Sequence, residues 1–272
     1  MIEAELKSWL VHCKTRFTDR TCDLYEHILG QVDDFIRRDG GQLTPEALEA
    51  YLAGLLDRTS RRSYNCHLTA IRSFCKWRAV HYKTDDPAER IHYIKEDPPK
   101  QRVLNDDEYQ AILGIAQGTD RDIFQFIANT GLRRAEFQAL TWADVSHDLS
   151  HIRIKGKGRK ERVIPLNATC QAILDKYDRQ DGPVQFTRRY YGRQGAYWIC
   201  HKLAKQAGVA HFGPHALRHW FCTKLLRSDV PIYKVSKIMG HASISVTEKV
   251  YAHLLPQDLF GVTDVLDQNP LH

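Results

Sequence analysis

The chain has 272 residues, 43% hydrophobic, 26% charged and 10% aromatic, with a formal net charge of +6. That is ordinary globular composition, long enough for two cores. No apolar run approaches the ~18 residues of a membrane span, and the acidic Met-Ile-Glu-Ala-Glu start is unlike a secretory signal, so the expected location is the cytoplasm. The seven cysteines (13, 22, 66, 75, 170, 200, 222) are odd in number and scattered, without a CxxC, which points to buried reduced thiols. Charge is unevenly spread: residues 1–57 carry 6 basic and 11 acidic side chains, 58–98 carry 9 and 5, and 99–272 carry 24 and 17. Basic charge gathered past residue 57 suits one side facing a polyanion, although a solvated basic face explains it equally well.

In chain order, the first 83 residues read as helices. Thr44-Pro45-Glu46 combines a cap, a proline at the first helical position and an early acid, predicting a helix over 45–56. A second helix is expected over 60–81, where Tyr64, Leu68, Ile71, Phe74, Cys75 and Arg78 recur at three- and four-residue steps. Its polar face carries Arg61, Arg62, Arg72 and Lys76, candidates for a phosphate backbone. Residues 84–103 hold three prolines and few core candidates, and read as an extended interdomain linker. Domains are therefore expected at 1–98 and 104–272. Asn105 with Glu108 forms a capping box that restarts helix, over 106–117 and then 120–129. From His151 to Pro165 the alternation around Gly156-Lys157-Gly158 predicts a β-hairpin, its turn made cationic by Lys155, Arg159, Lys160 and Arg162. Helices should dominate from there to about 253. The fold class expected is mainly α with a small antiparallel sheet.

Four short motifs carry the candidate chemistry. In Thr130-Gly131-Leu132-Arg133 the glycine permits a sharp turn and leaves Arg133 near a helix N-terminus, with Glu136 three residues on and able to hold its guanidinium. Alone, this is also how a surface Arg–Glu pair looks. Gly156-Lys157-Gly158 lets backbone approach a ligand closely, but basic hairpin tips are common. His215 and Arg218 share a helical face at i, i+3, and His215 and His219 have metal-ligand spacing. Ala216 stands where a zinc-protease helix needs glutamate and no third ligand suggests itself, so no metal is expected. Gly240-His241 and then Tyr251 complete the series.

The order Arg, Lys, His-x-x-Arg, Gly-His, Tyr resembles the tyrosine recombinase family, the phage-integrase and Xer-like site-specific recombinases, across about 104–260. The resemblance makes the first half a helical core-binding domain and the second an α+β catalytic domain. It implies Arg133, Lys157, His215, Arg218, His241 and Tyr251 as the catalytic set, Glu136 as supporting acid, and Tyr251 as nucleophile. Most relatives place the tyrosine nine residues after the motif histidine; here it is ten, read as an extra residue in the loop before it. The implied activity is DNA cleavage and rejoining through a 3′-phosphotyrosyl intermediate, with no ATP, metal, nicotinamide or flavin. The implied partner is duplex DNA with a specific core site, enclosed by two domains joined at the linker and bound by a homotetramer across two duplexes, with a possible directionality factor, for a mobile element or replicon resolution. Residues 256–266 are expected as a tail helix with Leu259, Phe260 and Leu266 docking on a neighbour or on their own domain. With the core-binding domain expected to start almost at residue 1, no separate amino-terminal arm-binding domain is expected. Rival readings are type IB topoisomerase-like activity and a non-catalytic regulator derived from a recombinase.

Overall fold

A computed structural model describes residues 2–38, 40–96, 102–156, 161–186, 195–241 and 243–251. Contacts divide the chain into two units, Met1–Pro99 and Lys100–His272. Helix dominates both, and one two-stranded antiparallel sheet lies in the second. Among the described residues no helix is long and apolar enough to cross a membrane.

The first unit contains α1 (Ile2–Lys14), α2 (Asp19–Arg38), α3 (Pro45–Leu56) and α4 (Arg61–Tyr82). The Thr44 hydroxyl accepts the Ala47 N–H at 3.2 Å, with Pro45 at the first helical position, so α3 begins where the cap predicts. The apolar face of α4 buries Tyr64, Leu68, Ile71, Phe74 and Cys75 against Trp9, Val32, Ile36, Leu48 and Leu52. Burying each large aliphatic or aromatic side chain stabilises by about 1.5–3 kcal/mol. Arg78, predicted on that face, pairs with Glu5 at 2.8 Å.

Residues 84–96, expected as linker, instead lie against α4. Ala88 and Ile91 are buried in the first core. The Asn65 amide donates to the Ile94 carbonyl (2.8 Å) and accepts the Ile94 N–H (3.0 Å), as a neighbouring strand would. Arg61 donates to the Lys95 carbonyl, and Arg72 donates to that of Glu89 while lying over the Tyr93 ring. Side chains of α4 thus satisfy an irregular segment whose backbone has no ladder of its own. Ala88, Ile91 and Ile94, set among a proline and charges, are too few to mark this stretch as core from the sequence.

In the second unit, Asn105 and Glu108 form the expected capping box and open α5 (Asp106–Ile115). The following α6 (Gly118–Thr130) is the central helix, burying Ile123, Phe124, Phe126 and Ile127. Next come α7 (Arg134–Gln138), a 3₁₀ turn (Trp142–Asp144), and the hairpin of β1 (His151–Lys155) and β2 (Glu161–Pro165), in a register that pairs Ile154 with Arg162. Then follow α8 (Ala168–Leu174), α9 (Gly195–Ala207), α10 (Pro214–Arg227), α11 (Ile232–Met239) and α12 (Ile244–Tyr251). Helices α8, α9 and α10 all pack on α6. A satellite cluster of Cys222, Leu226, Val235 and Met239 clamps α11 onto α10 and so fixes where α11 ends. None of the seven cysteines is in a disulfide, and all but the half-buried Cys66 are buried.

Candidate active site

Helix α6 stops at Gly131, which adopts φ +61°. A Cβ there would lie 2.4 Å from the Phe221 ring, so both the left-handed backbone and the packing demand glycine. The turn buries Leu132 and presents Arg133 as the N-cap of α7. Glu136, one turn on, accepts the Arg133 backbone N–H and its Nη1, each at 2.8 Å. One carboxylate therefore caps the short helix and holds the guanidinium.

Helix α11 ends in a second left-handed glycine, Gly240 (φ +63°), whose N–H turns back to Ser236 and Lys237. The next carbonyls, at Ile238, Met239 and Gly240, each meet a different arginine. Arg162 Nε donates to Ile238 at 2.7 Å, Arg218 Nη2 donates to Met239, and Arg133 Nη2 donates to Gly240 at 3.0 Å. A helix C-terminus presents unsatisfied carbonyls and a partial negative charge, so cations gather there naturally. Bonds to a charged donor contribute about 1.5–3 kcal/mol each. Arg218 also donates through Nη1 to the Gly131 carbonyl, tying the ends of α6 and α11 together. Its side chain is buried (5% exposed), whereas that of Arg133 is 37% exposed and is the more open of the two.

His241 follows this turn directly. Its Nδ1 lies 2.7 Å from the hydroxyl of Thr247, a fully buried residue of α12. Burial, then the charges of Arg218 and Arg133, pushes the His241 ring down to about 4. His215 stands on α10 one turn before Arg218 and is likewise lowered, by burial and then by Arg218, Arg134 and Arg133. His219, half-buried one turn further, falls to about 4 through burial and then the neighbouring His215 and Arg218. Glu136 goes the other way. Burial would raise it, but the Arg162 bonds, the Arg133 N–H and the two positive charges outweigh this and hold it at about 2.

Arg133, Glu136, Arg218 and His241 thus converge on the turn at 238–241, with His215 on the helix of Arg218. The backbone of α12 runs to Tyr251, one helical turn past Thr247. Residues 244–251 are continuous helix, and residue 242 before it lies outside the described residues. Lys155 closes β1 and is exposed, while Lys157, Arg159, Lys160 and the tail at 256–266 lie outside the described residues. Arg61, Arg62, Arg72 and Lys76 belong to the first unit, two of them engaged with residues 84–96 as above, and Arg62 and Lys76 exposed.

Arg162 corrects the expectation of a uniformly cationic turn. Its side chain is only 9% exposed and points inward, giving Nη1 and Nη2 to the two oxygens of Glu136 at 2.8 and 2.7 Å. The signal was present in the alternation: Ile152, Ile154 and Ile164 define the buried face of the hairpin, and Arg162 stands on it, opposite Ile154. Thr247 is not legible in the sequence, because a single threonine in a short helix carries no motif of its own.

Residues 102–258 match the model of the phage integrase family. Tyrosine recombinase XerD of Listeria monocytogenes serotype 4b is 30% identical over 261 residues, covering 86% of this chain and 88% of the relative. Tyrosine recombinase XerC of Oceanobacillus iheyensis is 26% identical over 267 residues, covering 88% and 87%. A solved lambda integrase dimer bound to a COC′ core site shares the fold, with a TM-score of 0.75 at 16% identity, covering 90% of this chain and 96% of that one. Matched over more than half its length and carrying the arginine, histidine and tyrosine motifs in order, the chain belongs to the phage integrase family and is a tyrosine recombinase.

Proposed function

We propose that this enzyme cleaves and rejoins duplex DNA at a specific core site, with Tyr251 as nucleophile and a 3′-phosphotyrosyl intermediate. The observation that carries the reading is the turn at 238–241. Two guanidiniums, from Arg218 and Arg133, sit on consecutive carbonyls, Met239 and Gly240, immediately before a histidine bonded to the helix that leads to Tyr251.

A phosphodiester is monoanionic, and its pentavalent transition state concentrates charge on the non-bridging oxygens. Arg133 and Arg218 stay protonated at any usable pH and are anchored in advance, so they stabilise that charge without reorganising. The Tyr251 oxygen forms its bond to phosphorus as the bond to the 5′-oxygen breaks. The phenol proton passes to His215, whose lowered pKa leaves it neutral and able to accept. Lys157 returns a proton to the departing 5′-oxygen, and His241 donates to the phosphate. One phosphodiester is exchanged for another, so the step balances without nucleotide or metal. A free 5′-hydroxyl from a second duplex then reverses it, which makes four protomers on two duplexes the natural assembly. Direction must come from outside the site, for example from a directionality factor, and the job served is movement of a mobile element or replicon resolution.

The test is incubation with a nicked duplex carrying a candidate core site from DNA flanking the gene, followed by denaturing gels. A slow protein–DNA band with wild type, absent from Tyr251→Phe, supports the reading. A band that survives in Tyr251→Phe removes Tyr251 as nucleophile. No band from either, with DNA still retarded in a shift assay on a panel of flanking sites, counts against cleavage.

A further inference from the structure

We propose that Arg162 is a positioning residue for the strand-cleavage reaction, holding Glu136 and the end of α11 so that Arg133 keeps one fixed orientation. The inference rests on the function proposed above and adds a residue outside its catalytic set.

Arg162 touches each part of the scaffold that carries the phosphate-binding arginines. Its Nη1 and Nη2 span both oxygens of Glu136, the same carboxylate that grips Arg133 through its backbone and its Nη1. Its Nε bonds the Ile238 carbonyl, one residue before the carbonyl held by Arg218 and two before that held by Arg133. Its aliphatic stem lies flat on Gly240, where an added Cβ would come within 2.7 Å of Cδ and 3.0 Å of Nε and Nη1. The planar fork on Glu136, the Nε bond and the bare glycine under the stem together allow one geometry. Lysine reproduces the charge but not two parallel bonds plus a third at right angles.

Its place is in the scaffold, because each of its three nitrogens donates to protein and two of them engage both oxygens of a carboxylate that balances its charge. Arg133 is by contrast the open guanidinium, with 37% of its side chain exposed. Without Arg162, neither Glu136 nor the Gly240 carbonyl that hold Arg133 is itself fixed, so a long and partly exposed arginine shifts with them, and misplacement by about 1 Å costs on the order of 100-fold in rate. Arg162 also belongs to β2, so the same side chain links the hairpin of β1 and β2 to the arginine centre.

A strut that merely supports folding would lower activity equally at every pH; a residue acting through Glu136 would not. Among the described residues the charged bond partners of Glu136 are Arg133 and Arg162, from the α6–α7 junction and from β2, with His241 and Arg218 at the adjoining turn. Removal of Arg162 leaves the desolvation that raises the carboxyl and deletes the largest influence lowering it. Its protonation then frees Arg133.

The experiment compares wild type, Arg162→Lys and Arg162→Gln, all full length, in single-turnover formation of the covalent adduct from pH 4.5 to 8.5 at saturating nicked duplex. The titration of the Glu136 carboxyl is followed alongside by ¹³C NMR. His215, His219 and His241 titrate in every variant, so the informative feature is any limb that wild type lacks. Expected are a fall of roughly 100-fold in adduct formation at pH 7, DNA affinity within about threefold, a new acidic limb, and a Glu136 titration moved up from its wild-type position. Glu136→Gln added to Arg162→Gln should remove that limb. An unchanged rate, a loss uniform across pH, or a Glu136 titration that does not move in Arg162→Lys overturns the proposal. The carboxyl titration reads Arg162 whether or not an adduct forms. Absence of adduct from wild type, by contrast, would count against the proposed function and not against Arg162.

Discussion

Replacing Glu136 by glutamine keeps the shape of the side chain and removes its charge. Glu136 is 12% exposed and holds two guanidiniums, of which Arg162 is 9% and Arg133 37% exposed. Breaking a buried ion pair by neutralising one partner costs about 3–5 kcal/mol, whereas an exposed pair contributes at most about 1 kcal/mol. Because the amide still accepts one bond, the lower end, about 3 kcal/mol, is the expected loss. The titration of Glu136 agrees in size. A carboxyl held at about 2 against 4.5 when free contributes stability that is fully present above pH 4.5 and is lost as pH falls toward 2, at about 1.4 kcal/mol per unit. For a unit of this size, about 3 kcal/mol corresponds to a fall of roughly 6–12 °C in Tm. Thermal unfolding without DNA at pH 7, followed through the near-ultraviolet signal of Trp142 and Trp220, measures it. The gap between Glu136→Gln and wild type should shrink as pH is lowered from 4.5. Melting within 1 °C of wild type at pH 7, or a gap that is constant down to pH 3, would refute this account of the carboxylate.

Gly131→Ala should destabilise by about 1–3 kcal/mol in urea, since its Cβ meets the Phe221 ring at 2.4 Å and φ is +61°. Phe221→Leu in the same chain should recover part of that loss, and no recovery would assign the cost to backbone strain alone. Thr247→Val is nearly isosteric but removes the hydroxyl beside His241 Nδ1, and adduct formation should fall about tenfold, the effect of roughly one lost hydrogen bond. Thr247→Ser should restore the rate; a serine variant as slow as the valine one would show that the methyl group matters and not the bond.

Most of the architecture was legible because it rests on local rules. Thr44-Pro45 and Asn105 with Glu108 marked helix starts, and the spacing from Tyr64 to Cys75 marked the buried face of α4. The candidate site was legible as a list of residues, since Arg133, Arg218, His241 and Tyr251 stand in a recognisable order. What joins them was not, because it is long-range and mostly backbone. Arg133 meets Gly240 across 107 positions and Arg218 meets Gly131 across 87, in bonds to carbonyls that any sequence supplies. Arg162 was assigned to the cationic turn by composition, although strand alternation puts it on the inward face. Residues 84–96 differ for the opposite reason: prolines and charges suggest a linker, while Asn65 and two arginines of α4 supply the bonds that hold the segment.

Charge bookkeeping around the turn at 238–241 leads to one further expectation. Among the described residues three guanidiniums bond consecutive carbonyls of this turn while the Glu136 carboxylate bonds two of them, a surplus of positive charge of which the end of α11 offsets about half a charge. That surplus, after burial, is why His241 sits at about 4 and why His215 is lowered, and His219 at about 4 shares the influence of Arg218. Free protein should therefore gain stability as pH rises from 4 to 6.5, because over that window the unfolded chain binds protons that the folded histidines refuse, and the gain should level off above 6.5. A phosphodiester in the site supplies the missing negative charge and removes the repulsion, so DNA binding should raise the His241 pKa toward its ordinary value. By linkage, affinity should increase as pH falls through that window. Imidazole titration by NMR in Tyr251→Phe, with and without nicked duplex, tests this directly. A His241 titration that stays near 4 with DNA bound would mean that the phosphate is held away from this turn, and Arg133 and Arg218 would lose their assignment as its clamp.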